Sequence, residues 1–249
     1  MMDPMATTPA VSLSVVMPAH NEEGYLEGAV REVVAELGER RSGGSLTAVQ
    51  VIVVENGSTD HTTAIGRRLE AELDMLSMIS LDQANYGAAL RAGFLQATGD
   101  IVVNFDVDYY DFGFLDRAIA LIADPDAGAN IVVGSKRGEG AEDTRAWHRR
   151  LVTATFSTIL RLGFGLHVSD THGMKAMARA SVLPLVHECR QGTDLFDTEL
   201  VLRAERGGRR VIETPVRVEE KRPSRSPIAG RVARTLWGLA KLRISIGRP

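Results

Sequence analysis

Short apolar runs rich in β-branched residues recur along the chain, from Leu13 to Met17, Val49 to Val54, Ile101 to Phe105 and Ile131 to Val133. Their hydrophobicity is continuous rather than alternating, which is what strands of a parallel sheet covered on both faces require. Between them, apolar residues three and four apart predict helices over roughly Glu22 to Glu39, Thr62 to Glu72, Gly87 to Ala97 and Phe112 to Ala123. A weaker strand over Met75 to Leu81 completes the alternation. This order predicts an α/β domain: an open, mostly parallel twisted sheet with right-handed crossovers and helices on both faces. Ligands of such sheets bind at the carboxyl ends of the strands, so the residues just after each strand carry the functional question.

The first strand runs into Pro18-Ala19-His20-Asn21-Glu22-Glu23 and the second into Glu55-Asn56-Gly57-Ser58-Thr59-Asp60. Neither contains G-x-G-x-x-G, which disfavours a dinucleotide-binding enzyme, and no GxxxxGK[ST] occurs anywhere. The turns offer carboxylates, amides and an imidazole instead. Ser58, Thr59 or Asp60 also suits the cap of the following helix.

The central strand ends in Asp106-Val107-Asp108, two carboxylates at the edge where the crevice opens. Oxygen ligands in that place suit a hard divalent cation, Mg²⁺ or Mn²⁺, which would neutralise a diphosphate. A second D-x-D, Asp124-Pro125-Asp126, follows a helix and contains proline, and reads as a solvated turn.

Taken together, VVMPAHNEE, VIVVENGSTDHT, NYGAALRAGFLQATGDIVVNFDVD, VVGSKR, VSDTHGMKAM and FDTELVLRAERGGRRVIETPV resemble, in content and order, the family 2 glycosyltransferases of GT-A fold. Within that family they are most similar to the polyprenyl (dolichyl) phosphate sugar synthases. The resemblance covers roughly residues 12–222. It implies an inverting, metal-dependent transfer of a sugar from GDP-mannose or a UDP-hexose to polyprenyl phosphate. It also implies that Pro18, Ala19, Glu22, Glu55 and Asn85 hold the nucleotide sugar with Asp106. Asp106 and Asp108 would bind the metal, and Arg137, Lys175 and Arg222 the phosphates of donor or acceptor. The chain departs from the family pattern at Glu55-Asn56, where members carry an aspartate pair. It departs again at Tyr110, where members carry a glutamine that adds a metal contact, a contact that either moves to Asp111 or is left to water. After Ser-Asp-Thr it has only His172-Gly173, one residue short of the usual segment.

The acceptor decides which further groups act. A hydroxyl acceptor needs a general base, for which Asp197 and Glu199 in FDTEL are the candidates, while Asp108 through the metal and Arg137 through a phosphate complete the expected catalytic set. A lipid phosphate is already an anion near neutral pH and needs cations, available at Arg137, Lys175, Lys221, Arg222 and Arg225. Asp197 and Glu199 equally suit a helix N-terminus, where acidic residues favour the dipole. Besides these two enzyme classes stands a non-catalytic sugar-nucleotide-binding partner, suggested by the departures at Glu55 and Tyr110.

Charge sharpens this division. Of 249 residues, those from 203 onward carry 13 basic and 4 acidic side chains, whereas the preceding ones carry 16 and 28. From Ile228, apolar residues at Val232, Leu236, Leu239, Leu242 and Ile246 alternate with Arg231, Arg234, Lys241, Arg243 and Arg248, the pattern of a basic amphipathic helix. It either packs on the domain or meets an anionic membrane surface. Trp147 to Phe164 is likewise either core or beside the lipid acceptor. Nucleic acid is disfavoured by a tail with Trp237 as its lone aromatic and no recognition motif. The single cysteine, Cys189, rules out a disulfide framework, and no run of eighteen apolar residues occurs. The expected organisation is therefore a disordered N-terminus (1–11), a GT-A domain (12–222) and a basic C-terminal segment (223–249). The expected location is cytoplasmic, peripheral at the inner face of the plasma membrane.

Overall fold

The computed structural model describes residues 10–135, 142–143, 155, 158–168, 171, 173–192, 195–218, 237–244 and 246. Strand β1 (Val11–Ala19) pairs in parallel with β2 (Leu46–Asn56) and β4 (Ile101–Asn104), and β2 with β3 (Leu76–Leu81). On the far side, β5 (Ile131–Ser135) pairs in parallel with β8 (Val211–Pro215). Between β4 and β5 lies β7 (Lys175–Ala178), antiparallel to both, so the seven-stranded order is β3-β2-β1-β4-β7-β5-β8. A separate parallel pair joins β6 (Glu142–Asp143) to β9 (Arg217–Val218). The expected α/β sheet is thus present and mostly parallel. Its antiparallel member, β7, has the sequence KAMA, too short and too polar at its start to register as an apolar run.

Helices α1 (Leu26–Ser42), α2 (Thr62–Glu72) and α4 (Phe112–Ala123) cover one face, and α3 (Tyr86–Gln96), α5 (Arg179–Glu188) and α6 (Phe196–Arg206) the other. Alternation along β1 divides the core. Leu13, Val15 and Met17 pack with Val30, Val33 and Phe114 on the first face, whereas Val16 packs with Leu90, Phe94 and Leu200 on the second. Helix α3 crosses β1 closely because of Gly93: a Cβ there would stand 2.2 Å from Val16 Cγ1.

Two boundaries differ from expectation. Strand β1 opens at Val11, inside the stretch read as disordered. Helix α1 begins at Leu26, not Glu22, because Glu22 to Tyr25 form a turn. The amides of Tyr25 and Leu26 both donate to the Glu22 carbonyl, while the Glu22 amide donates to Thr62 Oγ1 at 2.7 Å.

The described part of the C-terminal segment, residues 237–244 and 246, is helical and packs on the domain through Leu239 and Leu242. These join Leu160, Phe164, Leu195, Val201 and Leu202 in a third apolar cluster. Leu160 and Phe164 therefore belong to the core, whereas Leu162, Trp237 and Ile244 are exposed. No helix among the described residues is long and apolar enough to cross a membrane.

Candidate active site

The strand ends converge on one edge. Ala19 is in register with Glu55, Val16 with Asn104, and Asn104 with Lys175, because antiparallel β7 starts where β4 finishes. The turns after β1 and β2 lock together here. Asn21, with φ of 55°, accepts the Thr59 amide on Oδ1 at 2.8 Å, and its own amide donates to Ser58 Oγ. That left-handed conformation is one asparagine tolerates. His20 Nδ1 donates to the Asn56 carbonyl at 2.8 Å. Asn56 Nδ2 donates to the Ala19 carbonyl, and its Oδ1 accepts the Asn85 amide. Gly57, with φ of 66°, lets this loop pass Gln83 and Ala84, which a Cβ would meet at 2.8 Å.

Pro18, Ala19, Glu22 and Glu55 all line this edge and are all buried. Glu55 turns its carboxylate back to accept the Ser58 amide at 2.5 Å. Asn85 spends its side-chain oxygen as the N-cap of α3, accepting the Ala88 amide at 3.1 Å.

Asp106 and Asp108 sit on a tight hairpin. The amides of Asp106 and Tyr109 each donate to the other's carbonyl at 3.0 Å, leaving Val107 and Asp108 at the tip. Val107 turns into the core and both aspartates are half-buried. The first residue of α3, Tyr86, donates its hydroxyl to Asp106 Oδ1 at 2.8 Å. Burial, together with the negative charge of Asp106, Asp197 and Asp108, pushes the Tyr86 phenol well above its ordinary pKa, so it stays a neutral donor. Two carboxylates on a rigid turn form an all-oxygen donor set that fits Mg²⁺ or Mn²⁺. Among the described residues no group of three or more His, Cys, Asp or Glu is placed to hold a metal ion.

Tyr110 and Asp111, the residues after the hairpin, both have partners within the fold. Tyr110 donates to Glu32 Oε2 at 2.6 Å, and its ring packs near Phe105 and Phe112. Asp111 caps α4, accepting the Phe114 amide at 2.9 Å. Both serve the fold because the hairpin reverses the chain at Asp108, sending the following residues back to the core. Asp126 donates its amide to Asp124 Oδ1 in an exposed turn, as expected for the second D-x-D.

Lys175 is not placed as an open phosphate ligand. Its buried ammonium donates to the carbonyls of Thr171 and Gly173 at 3.1 and 2.6 Å and pairs with Asp197 Oδ2 at 3.0 Å, which occupies all three protons. The other Asp197 oxygen, Oδ1, is buried with no hydrogen-bond partner among the described residues. Glu199 faces away from this pair. Its Oε2 accepts the amides of Arg190 and Gln191 at 2.9 and 2.7 Å, and its Oε1 pairs with Arg203 at 2.8 Å. It braces the loop between α5 and α6, which corrects its expected role as a base. Arg137 and Arg222, like Lys221, Arg225, Asp170 and His172, lie outside the described residues. Sequence reading missed Tyr86 and the Lys175 to Asp197 pair. The only signal for Tyr86 was its place beside the Asn85 cap, and its partner lies twenty residues away.

The family described as Glycosyl transferase family 2 matches residues 14–184. Glycosyltransferase AglD of Haloferax volcanii is 31% identical over 244 residues, covering 94% of this chain, but the chain spans only 38% of that protein. The dolichyl-phosphate beta-glucosyltransferase ALG5D of Trichomonas vaginalis is 30% identical over 242 residues, 90% of this chain and 71% of its own length. Among solved structures, glucosyl-3-phosphoglycerate synthase of Mycobacterium tuberculosis, in complex with Mn²⁺, UDP and phosphoglyceric acid, superposes with a TM-score of 0.69. That match has 22% identity and covers 98% of this chain and 81% of that one, which establishes the GT-A fold.

Proposed function

The chain belongs to glycosyl transferase family 2, and from that premise we propose that it moves a hexose from a nucleotide diphosphate sugar to a polyprenyl phosphate at a membrane surface. The donor is GDP-mannose or a UDP-hexose. The observation that carries the acceptor is the similarity to a dolichyl-phosphate beta-glucosyltransferase along nine-tenths of the chain, at 90% coverage.

An acceptor phosphate oxygen attacks the anomeric carbon in line, the bond from that carbon to the diphosphate oxygen breaks, and the nucleoside diphosphate departs with inversion. The acceptor, with a second pKa of about 6, is already anionic at neutral pH and needs no base. Asp106 and Asp108 would hold Mg²⁺ or Mn²⁺, and the ion would neutralise charge on the departing diphosphate. The residues of the chain do the positioning. The hairpin fixes the two carboxylates, and the locked turns around Asn21 and Asn56 form the edge for the nucleoside. Arg137 and Arg222 are the proposed phosphate holders, in place of Lys175.

The C-terminal segment supports a lipid acceptor. Trp237, Lys241 and Ile244 share the outward face of its helix, with Lys241 Nζ 5.3 Å from the Trp237 ring centroid. An exposed apolar and basic stripe suits the interface of an anionic leaflet, where each nearby cation contributes about 1 kcal/mol. A second reading, a hydroxyl acceptor, is favoured by Asp197 Oδ1, a carboxylate oxygen with no hydrogen-bond partner among the described residues and therefore with capacity to accept from an acceptor hydroxyl.

The test is a panel of UDP- and GDP-hexoses incubated with the protein, Mn²⁺ and a short polyprenyl phosphate, read by the mass of the lipid product. A hexosyl phosphate lipid from one donor is expected. Absence of lipid product across the panel, with glycosylation of a hydroxyl acceptor by the same preparation, would replace the first reading by the second.

A further inference from the structure

Tyr86 opens α3, and that helix terminus is pinned on several sides. The Asn85 side chain caps it, the Asn85 amide donates to Asn56 Oδ1, and Asn56 in turn holds the end of β1 through the Ala19 carbonyl. The phenol therefore starts from a fixed backbone. At its other end, Asp106 is equally fixed, by reciprocal backbone bonds to Tyr109. The 2.8 Å bond from Tyr86 Oη to Asp106 Oδ1 joins these two rigid pieces.

We propose that Tyr86 is a positioning residue for the D-x-D site: its hydroxyl holds the Asp106 carboxylate in the rotamer that receives the divalent cation. The inference rests on reading Asp106 and Asp108 as the metal-diphosphate site. A carboxylate free to rotate must be ordered when the cation arrives, whereas one already hydrogen-bonded is oriented beforehand. Outer partners of this kind typically govern about 10–100-fold in metal affinity. A tyrosine suits the task because it spans from α3 to the hairpin and donates without adding a positive charge that would compete with the ion.

The experiment uses the full chain and Mn²⁺ alone, with free Mn²⁺ counted by electron paramagnetic resonance. Tyr86→Phe is expected to raise the Mn²⁺ Kd about 10–100-fold, to raise the donor KM at limiting Mn²⁺, and to leave kcat within a few-fold at saturating Mn²⁺, with an unchanged melting temperature in chelator. In the unaltered protein, Mn²⁺ titration should perturb the tyrosine ultraviolet spectrum, a readout independent of how the variant folds. Asp106→Asn separates the two layers. If it binds Mn²⁺ like the unaltered chain, the metal reading fails. If it loses Mn²⁺ while Tyr86→Phe keeps the original Kd, or if saturating Mn²⁺ leaves the tyrosine spectrum unmoved, the positioning role of Tyr86 fails alone.

Discussion

Lys175 Nζ lies 3.0 Å from Asp197 Oδ2 with both side chains buried, joining the first residue of β7 to the first turn of α6. Through its backbone, Lys175 is also tied to the D-x-D strand, its amide donating to Asn104 Oδ1 at 3.0 Å. The pair therefore couples the sheet to the helix at the edge of the crevice.

Removing one partner of such a pair leaves an uncompensated buried charge. Lys175→Met should destabilise the fold by about 3–5 kcal/mol, seen as a lowered denaturant midpoint. The double variant Lys175→Met/Asp197→Leu should recover most of that loss, since an apolar replacement of a buried pair is often neutral. A normal midpoint for Lys175→Met together with a raised KM for either phosphate substrate would instead reinstate Lys175 as a phosphate ligand.

Glu199 yields a contrasting expectation. Its carboxylate is committed to Arg203 and to the Arg190 and Gln191 amides, so Glu199→Gln should cost roughly 3 kcal/mol of stability. Turnover of the folded fraction should remain within a few-fold of the original. Loss of a general base typically costs about 10²–10⁴ in rate, and a drop of that size in a folded variant would restore Glu199 to catalysis.

Cys189 sets a pH limit. Burial, reinforced by the charge of Glu199, pushes its thiol up to about 12, against about 8.5 in an unfolded chain. The folded protein keeps this proton while the unfolded chain releases it. The stabilisation is complete below about pH 8.5 and is lost as pH rises toward the folded value, at about 1.4 kcal/mol per pH unit. Urea melts at about pH 8 and pH 10 should show the original losing up to about 2 kcal/mol more than Cys189→Ala. Equal losses in the two proteins would show that the thiol does not titrate this way, and fast native labelling by a thiol reagent at pH 8 would show that it is not enclosed.

Much of the architecture was legible along the chain because it depends on near neighbours. Continuous apolar runs announced β1, β2, β4 and β5, and the residues closing three of those runs do meet at one edge. The D-x-D at Asp106 was separable from the one at Asp124 by its place after a strand; the first lies on a hairpin after β4 and the second in an exposed turn. Short β7 was not legible, since a four-residue strand beginning with lysine is recognisable only once β4 and β5 leave a gap for it. Nor was the split character of the tail. Leu239 and Leu242 are buried while Trp237 and Ile244 are exposed, and the apolar pattern alone could not divide one set from the other.

By itself, the sequence determined the class of sheet, the order of the motifs and the acidic pair after its central strand, because strand formation and turn chemistry are decided over a few adjacent residues. The tertiary structure alone decided which charges are occupied. Lys175 looked like a phosphate ligand until Asp197, 22 positions away, proved to be beside it. Glu199 looked like a base until Arg190, Gln191 and Arg203 closed around it. Tyr86 attracted no notice until α3 brought it to Asp106. The reason is physical: a side chain's chemistry depends on which partners and how much water surround it, and those are set by elements distant in the chain.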